Sequence, residues 1–113
     1  MMNDDDPLDL TNMPVRLGTR GSWLWSSLGP LVSLREQQRE AFFDLCQTYE
    51  VRWLARFTHE HVHAGTDHDE MSVRMVADFD AKLTTAAAAL GIALETIEHL
   101  ESTGPDWRKS TQH

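Results

Sequence analysis

From Leu34 to His63 the chain contains neither glycine nor proline. The two residues that most readily end a helix are therefore absent, and an unbroken helix is the simplest occupant of such a span. Phe42, Cys46, Tyr49, Trp53 and Phe57 recur there at intervals of four, three, four and four residues, and Phe43 and Leu54 widen the stripe. That is the 3.6-residue period of a helix burying one broad face. Ser33-Leu34-Arg35-Glu36 satisfies the S-x-x-E capping pattern, so the helix is predicted over about 34–63.

Ala64-Gly65-Thr66 supplies a stop, and Asp67 or Asp69 can cap a following helix. Met75, Phe79, Leu83, Ala86 and Leu90 then continue the alternation of three and four, extended by Ala93 or Leu94, Ile97, and Leu100 or Glu101. The span predicted is about 68–102, with a kink or break at Gly91, a residue costing about 1 kcal/mol inside a helix relative to alanine. The run TTAAAA over 84–89 permits close helix approach. Upstream, Thr19 to Ser22 open a short helix over about 20–28, stopped by Gly29-Pro30. No segment alternates with period two, so no sheet is expected.

The fold class expected is all-α: a short N-terminal helix followed by a long antiparallel helical hairpin. One short helix covers only part of two wide apolar faces, so the chain is expected to oligomerise through them. Phe42, Cys46, Tyr49, Trp53, Phe57, Met75, Phe79, Leu83 and Leu90 are the expected core and interface set. Around this helical domain, 19–102, residues 1–18 read as an acidic flexible arm. Its Leu8, Leu10, Met13, Val15 and Leu17 offer surface to dock, and 103–113 reads as a loose C-terminal tail.

A chain of 113 residues suits one domain. It has no apolar run long enough to cross a membrane, and its acidic first residues lack the positive start of a signal peptide. The lone Cys46 has no internal disulfide partner and reads as a small buried hydrophobe. The formal net charge is −8, and −4 once the four aspartates of the first nine residues are set aside. Such a balance argues against a strong autonomous binder of nucleic acid. Arg16, Arg20, Arg35 and Arg39 form the one basic concentration and are candidate DNA contacts; a solvated charged surface is the alternative. Arg52 and Arg56 flank the apolar stripe and suit salt bridges between helices or subunits.

His59-Glu60-His61-Val62-His63 matches the H-E-x-x-H pattern of zinc proteases, with Glu60 as the would-be general base. A catalytic zinc also needs a third ligand and an open position. His68 falls one residue short of the extended spacing, and no strand edge is expected to align a peptide. No metal is therefore expected, with His59, His63 and His68 as weak candidates, and a solvated helix end is the preferred reading.

The order of features resembles the terminase small subunits of tailed phages and prophages, the actinobacterial ones especially. Gly18, Gly21, Leu24 and Trp25 match a Gly-x-x-Gly-x-x-Leu-Trp-like opening. Leu45-Cys46 lies at the centre of the next helix, Glu50 stands where an acidic residue is common, and Leu90-Gly91-Ile92 matches the final stop. The resemblance covers roughly residues 15–94. It implies a non-catalytic, cofactor-free component of the host cytoplasm that forms a homo-oligomeric ring, binds viral double-stranded DNA and regulates the large terminase subunit. The acidic arm departs from relatives that carry a helix-turn-helix there, so DNA contact would depend on avidity around a ring. The other readings are a helical adaptor without DNA binding and a zinc-binding protein using the HEHVH cluster.

Overall fold

The computed structural model describes residues 6–104, and these form an all-α protein. Its four helices are α1 (Thr19–Leu28), α2 (Arg39–Thr58), α3 (Asp69–Ala89) and α4 (Leu94–Thr103). No strand occurs among the described residues, where an isolated bridge pairs Pro7 with Arg35. No helix there is long and apolar enough to cross a membrane.

The helix boundaries follow from local chemistry. Gly29-Pro30 turns α1 into a single 3-10 turn, Gly29–Leu31. At the other break, Gly91 adopts φ +71°, the left-handed conformation that glycine takes without steric cost. The Ile92 N–H donates to the Ala87 carbonyl at 2.9 Å and the Gly91 N–H to Ala88 at 3.0 Å. This is a Schellman closure, and buried Ile92 and Ala87 supply the apolar contact that accompanies it. Of the two outcomes open at Gly91, a kink or a break, the chain takes the break.

The start of α2 differs from expectation. Leu34 and Arg35 lie outside the helix, Arg35 with extended backbone, because residues 6–8 bond the backbone of Leu34 and Glu36 on either side of it. The Leu8 N–H donates to Leu34 O at 3.1 Å, and the Glu36 N–H to Asp6 O at 2.8 Å. A 3-10 turn, Glu36–Gln38, then leads into α2, with the Gln38 side-chain oxygen accepting the Arg35 N–H at 2.9 Å. At its other end α2 stops at Thr58, and His59–His63 widen into one π turn.

Residues 6–18 are therefore part of the domain, which corrects the expectation of a flexible arm. Leu8 and Leu17 are buried, and Trp25 Nε1 donates to the Leu10 carbonyl at 3.0 Å. The Arg39 guanidinium donates to the carbonyls of Asp9 and Asn12. Asp9 also folds the segment locally, accepting the Thr11 N–H at 3.1 Å and hydroxyl at 2.6 Å, and these bonds hold its carboxyl below the usual value. The remainder of the expected arm and tail, 1–5 and 105–113, lies outside the described residues.

The core joins Leu24, Trp25 and Leu28 of α1 to Phe42, Leu45, Cys46 and Tyr49 of α2, to Leu83 and Ala87 of α3, and to Ile97 of α4. It sits toward one end of a molecule measuring 54 × 28 × 25 Å. Beyond Arg52 on α2 no residue is buried, and before Leu83 on α3 only Ser72 is. The two long helices meet along their length through charge as well as apolar contact. Arg52 Nε lies 2.7 Å and Arg56 Nη2 3.1 Å from Asp80 Oδ1, while Arg52 Nη1 is 3.9 Å from Glu101 of α4. The expected salt bridges of Arg52 and Arg56 thus form between helices within one chain.

Candidate functional site

The motif glycines have a concrete role where α1 crosses α2. A Cβ at Gly21 would lie 2.9 Å from the Cys46 carbonyl oxygen, and one at Gly18 would lie 2.0 Å from Glu50 Oε1. Two missing side chains let the start of α1 rest directly on α2. Glu50 then does what Gly18, lacking a side chain, cannot. Its Oε1 accepts the Arg20 N–H at 3.0 Å at the first turn of α1, and its Oε2 is 3.3 Å from Arg20 Nη1. A carboxylate there satisfies an otherwise unbonded donor and opposes the positive end of the helix dipole.

The four candidate DNA-contacting arginines do not form one open basic face. Arg20 is mostly buried, paired to Glu50, with its guanidinium carbon 3.6 Å from the Trp53 ring centre. Arg39 binds the carbonyls of residues 9 and 12 and lies 5.5 Å from the Trp25 ring centre. Arg16 and Arg35 are exposed; the Arg16 guanidinium sits 4.7 Å over Phe43. The guanidinium groups of Arg16, Arg20 and Arg39 therefore lie over aromatic rings. Arg20 and Arg39 hold the N-terminal region in place.

A second feature lies between the less buried halves of α2 and α3. Val51, Leu54, Ala55 and Thr58 face Met71, Met75 and Phe79 across a half-open apolar groove of about 510 Å³, floored in part by Ser72. His63 and His68 stand at its turn end. Leu54 is 44% exposed, Met71 61% and Met75 49%. Single exposed apolar residues are ordinary; here several line one groove. The expected core and interface set thus divides. Phe42, Cys46, Tyr49 and Leu83 belong to the chain's own core; Trp53, Phe57 and Leu90 are half-buried; Met75 and Phe79 line the groove. Sequence reasoning missed Val51, Ala55 and Thr58, although with Leu54 they repeat at helical spacing beside the main stripe.

The histidines do not converge. His59 turns toward Asp69, with Nδ1 3.7 Å from Oδ1. The His61 ring packs 4.3 Å from Phe57, itself stacked on Trp53 at 5.2 Å. His63 meets His68 edge-on, ring centres 5.6 Å apart. The π turn explains the dispersal, because an i→i+5 closure changes the angular spacing that places i and i+4 side chains together on an α-helix. No group of three or more His, Cys, Asp or Glu side chains able to hold a metal occurs among the described residues. Cys46 is buried, and burial pushes its thiol well above the ordinary value.

Compared with protein-family models, with curated proteins and with solved structures, the chain matches none.

Proposed function

We propose that the protein is a non-catalytic helical assembly component of the terminase-small-subunit kind. In this reading α2 and α3 form the antiparallel hairpin whose uncovered face meets a neighbouring copy. The resulting homo-oligomeric ring engages viral double-stranded DNA and the large terminase subunit in the host cytoplasm. The observation that carries the reading is the half-open apolar groove lined by Leu54, Met71, Met75 and Phe79, where an isolated chain leaves apolar surface in water. The tight glycine crossing at Gly18 and Gly21, with Glu50 at the head of α1, supplies a physical reason for the residues that carry the resemblance.

In this proposal Arg16 and Arg35 touch phosphate, and Arg20 and Arg39 position the segment that bears them. One chain with a formal charge of −8 would bind weakly, and repetition around a ring would supply the affinity. Native mass spectrometry of the full chain, paired with a gel shift at low salt, tests it. A defined oligomer that shifts duplex DNA supports it, and a monomer at tens of micromolar removes it.

The engagement of Arg20 and Arg39 within the chain favours a second reading, a helical adaptor that self-associates without binding DNA. An oligomer that shifts no duplex, viral ends included, would select that reading.

A further inference from the structure

The turn joining α2 to α3 contains a buried ring nitrogen whose hydrogen bond is unmade. His59 Nδ1 is screened from solvent and has no hydrogen-bond partner, although Asp69 Oδ1 lies 3.7 Å away. The other oxygen of that carboxylate accepts the Gly65 N–H at 3.2 Å, and Gly65 is the left-handed residue on which the chain reverses, φ +77°. The His59 carbonyl accepts the Ala64 N–H at 2.7 Å, closing the π turn. One histidine and one carboxylate therefore touch both sides of the same reversal.

We infer that His59 and Asp69 form a proton-operated latch on this turn. While the imidazole is neutral, the Asp69–Gly65 contact holds the turn from one side. When the ring takes up a proton, its Nδ1–H donates to Asp69 Oδ1, and the carboxylate clamps His59 and Gly65 together. A closure of less than about 1 Å brings 3.7 Å into the range of a charge-assisted bond. Acid adds a proton to an imidazole, so the latch closes as the solution is acidified.

The surrounding charges leave that pairing in place. The elements packed against the π turn are α2 and α3. From α3, Asp69 faces His59, while Glu70 is held by Arg74 at 2.8 Å. From α2, Arg56 is held by Asp80. Within the turn and its loop, His63 packs on His68, and Glu60, His61, Asp67 and His68 are exposed. Because His63 and His68 line the end of the groove, closing the latch fixes the shape of that end. The inference needs no partner and stands whether or not the chain forms a ring.

The test follows solvent exchange of the Gly65 amide in the full chain by NMR, normalised for the intrinsic dependence of exchange on pH. Protection is expected to rise at least fivefold between pH 8 and pH 5.5, to stay flat in His59→Gln and Asp69→Asn, and to rise unchanged in His61→Gln. Nitrogen-15 spectra of the wild-type ring supply a readout free of mutation. At pH 5.5 the His59 Nδ1 proton should be hydrogen-bonded and slow to exchange. A freely exchanging Nδ1 proton, or the same rise in His59→Gln, would overturn the inference.

Discussion

The Arg20 guanidinium is clasped between the Trp53 ring, 3.6 Å from its carbon, and the Glu50 carboxylate, 3.3 Å from its Nη1. The arrangement ties the first turn of α1 to the middle of α2, and Glu50 also accepts the Arg20 backbone N–H. Replacing Glu50 with alanine removes the ion pair and the cap together, and leaves a mostly buried cation without its carboxylate. The expected loss is about 1–3 kcal/mol, measured by urea unfolding. Glu50→Gln should retain part of the cap and lose less.

Gly21 tests the close crossing separately from charge. A Cβ there would stand 2.9 Å from a backbone oxygen of α2, and backbone cannot rotate aside as a side-chain tip can. Gly21→Ala should therefore cost about 1–3 kcal/mol despite the better helix propensity of alanine, read as a lower melting temperature. An unchanged or higher melting temperature would show that α1 does not sit this close.

Arg52 is buried at 6% exposure, and Asp80 is its closest carboxylate contact, with Glu101 at the edge of range. Asp80 itself is about half in solvent, which moderates its contribution. Asp80→Ala should destabilise by roughly 2 kcal/mol, mainly by stranding Arg52. Pairing it with Arg52→Met should recover much of the loss, because an apolar chain of similar length fills the site without needing a counter-charge. A double-mutant cycle in chemical denaturation measures that coupling.

Cys46 is fully buried, and burial raises its thiol above the ordinary range. The attacking species in thiol chemistry is the thiolate. The folded protein should therefore resist a disulfide reagent from pH 7 to 9, with labelling following the opening of the fold. A burst of labelling in native buffer would contradict this. A group with a raised folded value keeps its stabilising share below its unfolded value and loses it as pH climbs toward the folded one. Alkaline solution should accordingly weaken the fold by favouring the unfolded thiolate.

The groove yields a prediction about association. Met75→Glu places charge on a surface already 49% exposed, so the isolated chain should keep its stability within about 0.5 kcal/mol. The same change should dissociate the proposed oligomer, seen by light scattering. Loss of folding together with loss of assembly would instead mean that the groove supports the chain itself.

How much of this was legible beforehand depended on the range over which each feature is encoded. Helix type and stripe are local, so the series from Phe42 to Phe57 and the interruption at Gly91 could be read from spacing and punctuation. The late start of α2 could not, because the S-x-x-E pattern at Ser33 lost to backbone bonds from residues nearly thirty positions away. Arg20 and Arg39 read as free cations for a similar reason. Spacing reveals their charge, while their rings and carbonyls come from distant parts of the chain. HEHVH read as the last turn of an α-helix, since nothing in five residues announces a π turn. The groove lay in a second stripe, overshadowed by the more aromatic one beside it.

The uneven distribution of buried residues along α2 and α3 has a mechanical meaning. The end anchored by Trp25, Phe42 and Leu83 behaves as a footing, and the end bearing Leu54 and Met75 as an adjustable jaw. Cooperative unfolding units follow local packing, so the jaw can repack or open at a fraction of the free energy needed to disturb the footing. In the proposed oligomer, the neighbouring copy would then meet the half of the chain that can adapt, while the other half keeps its shape.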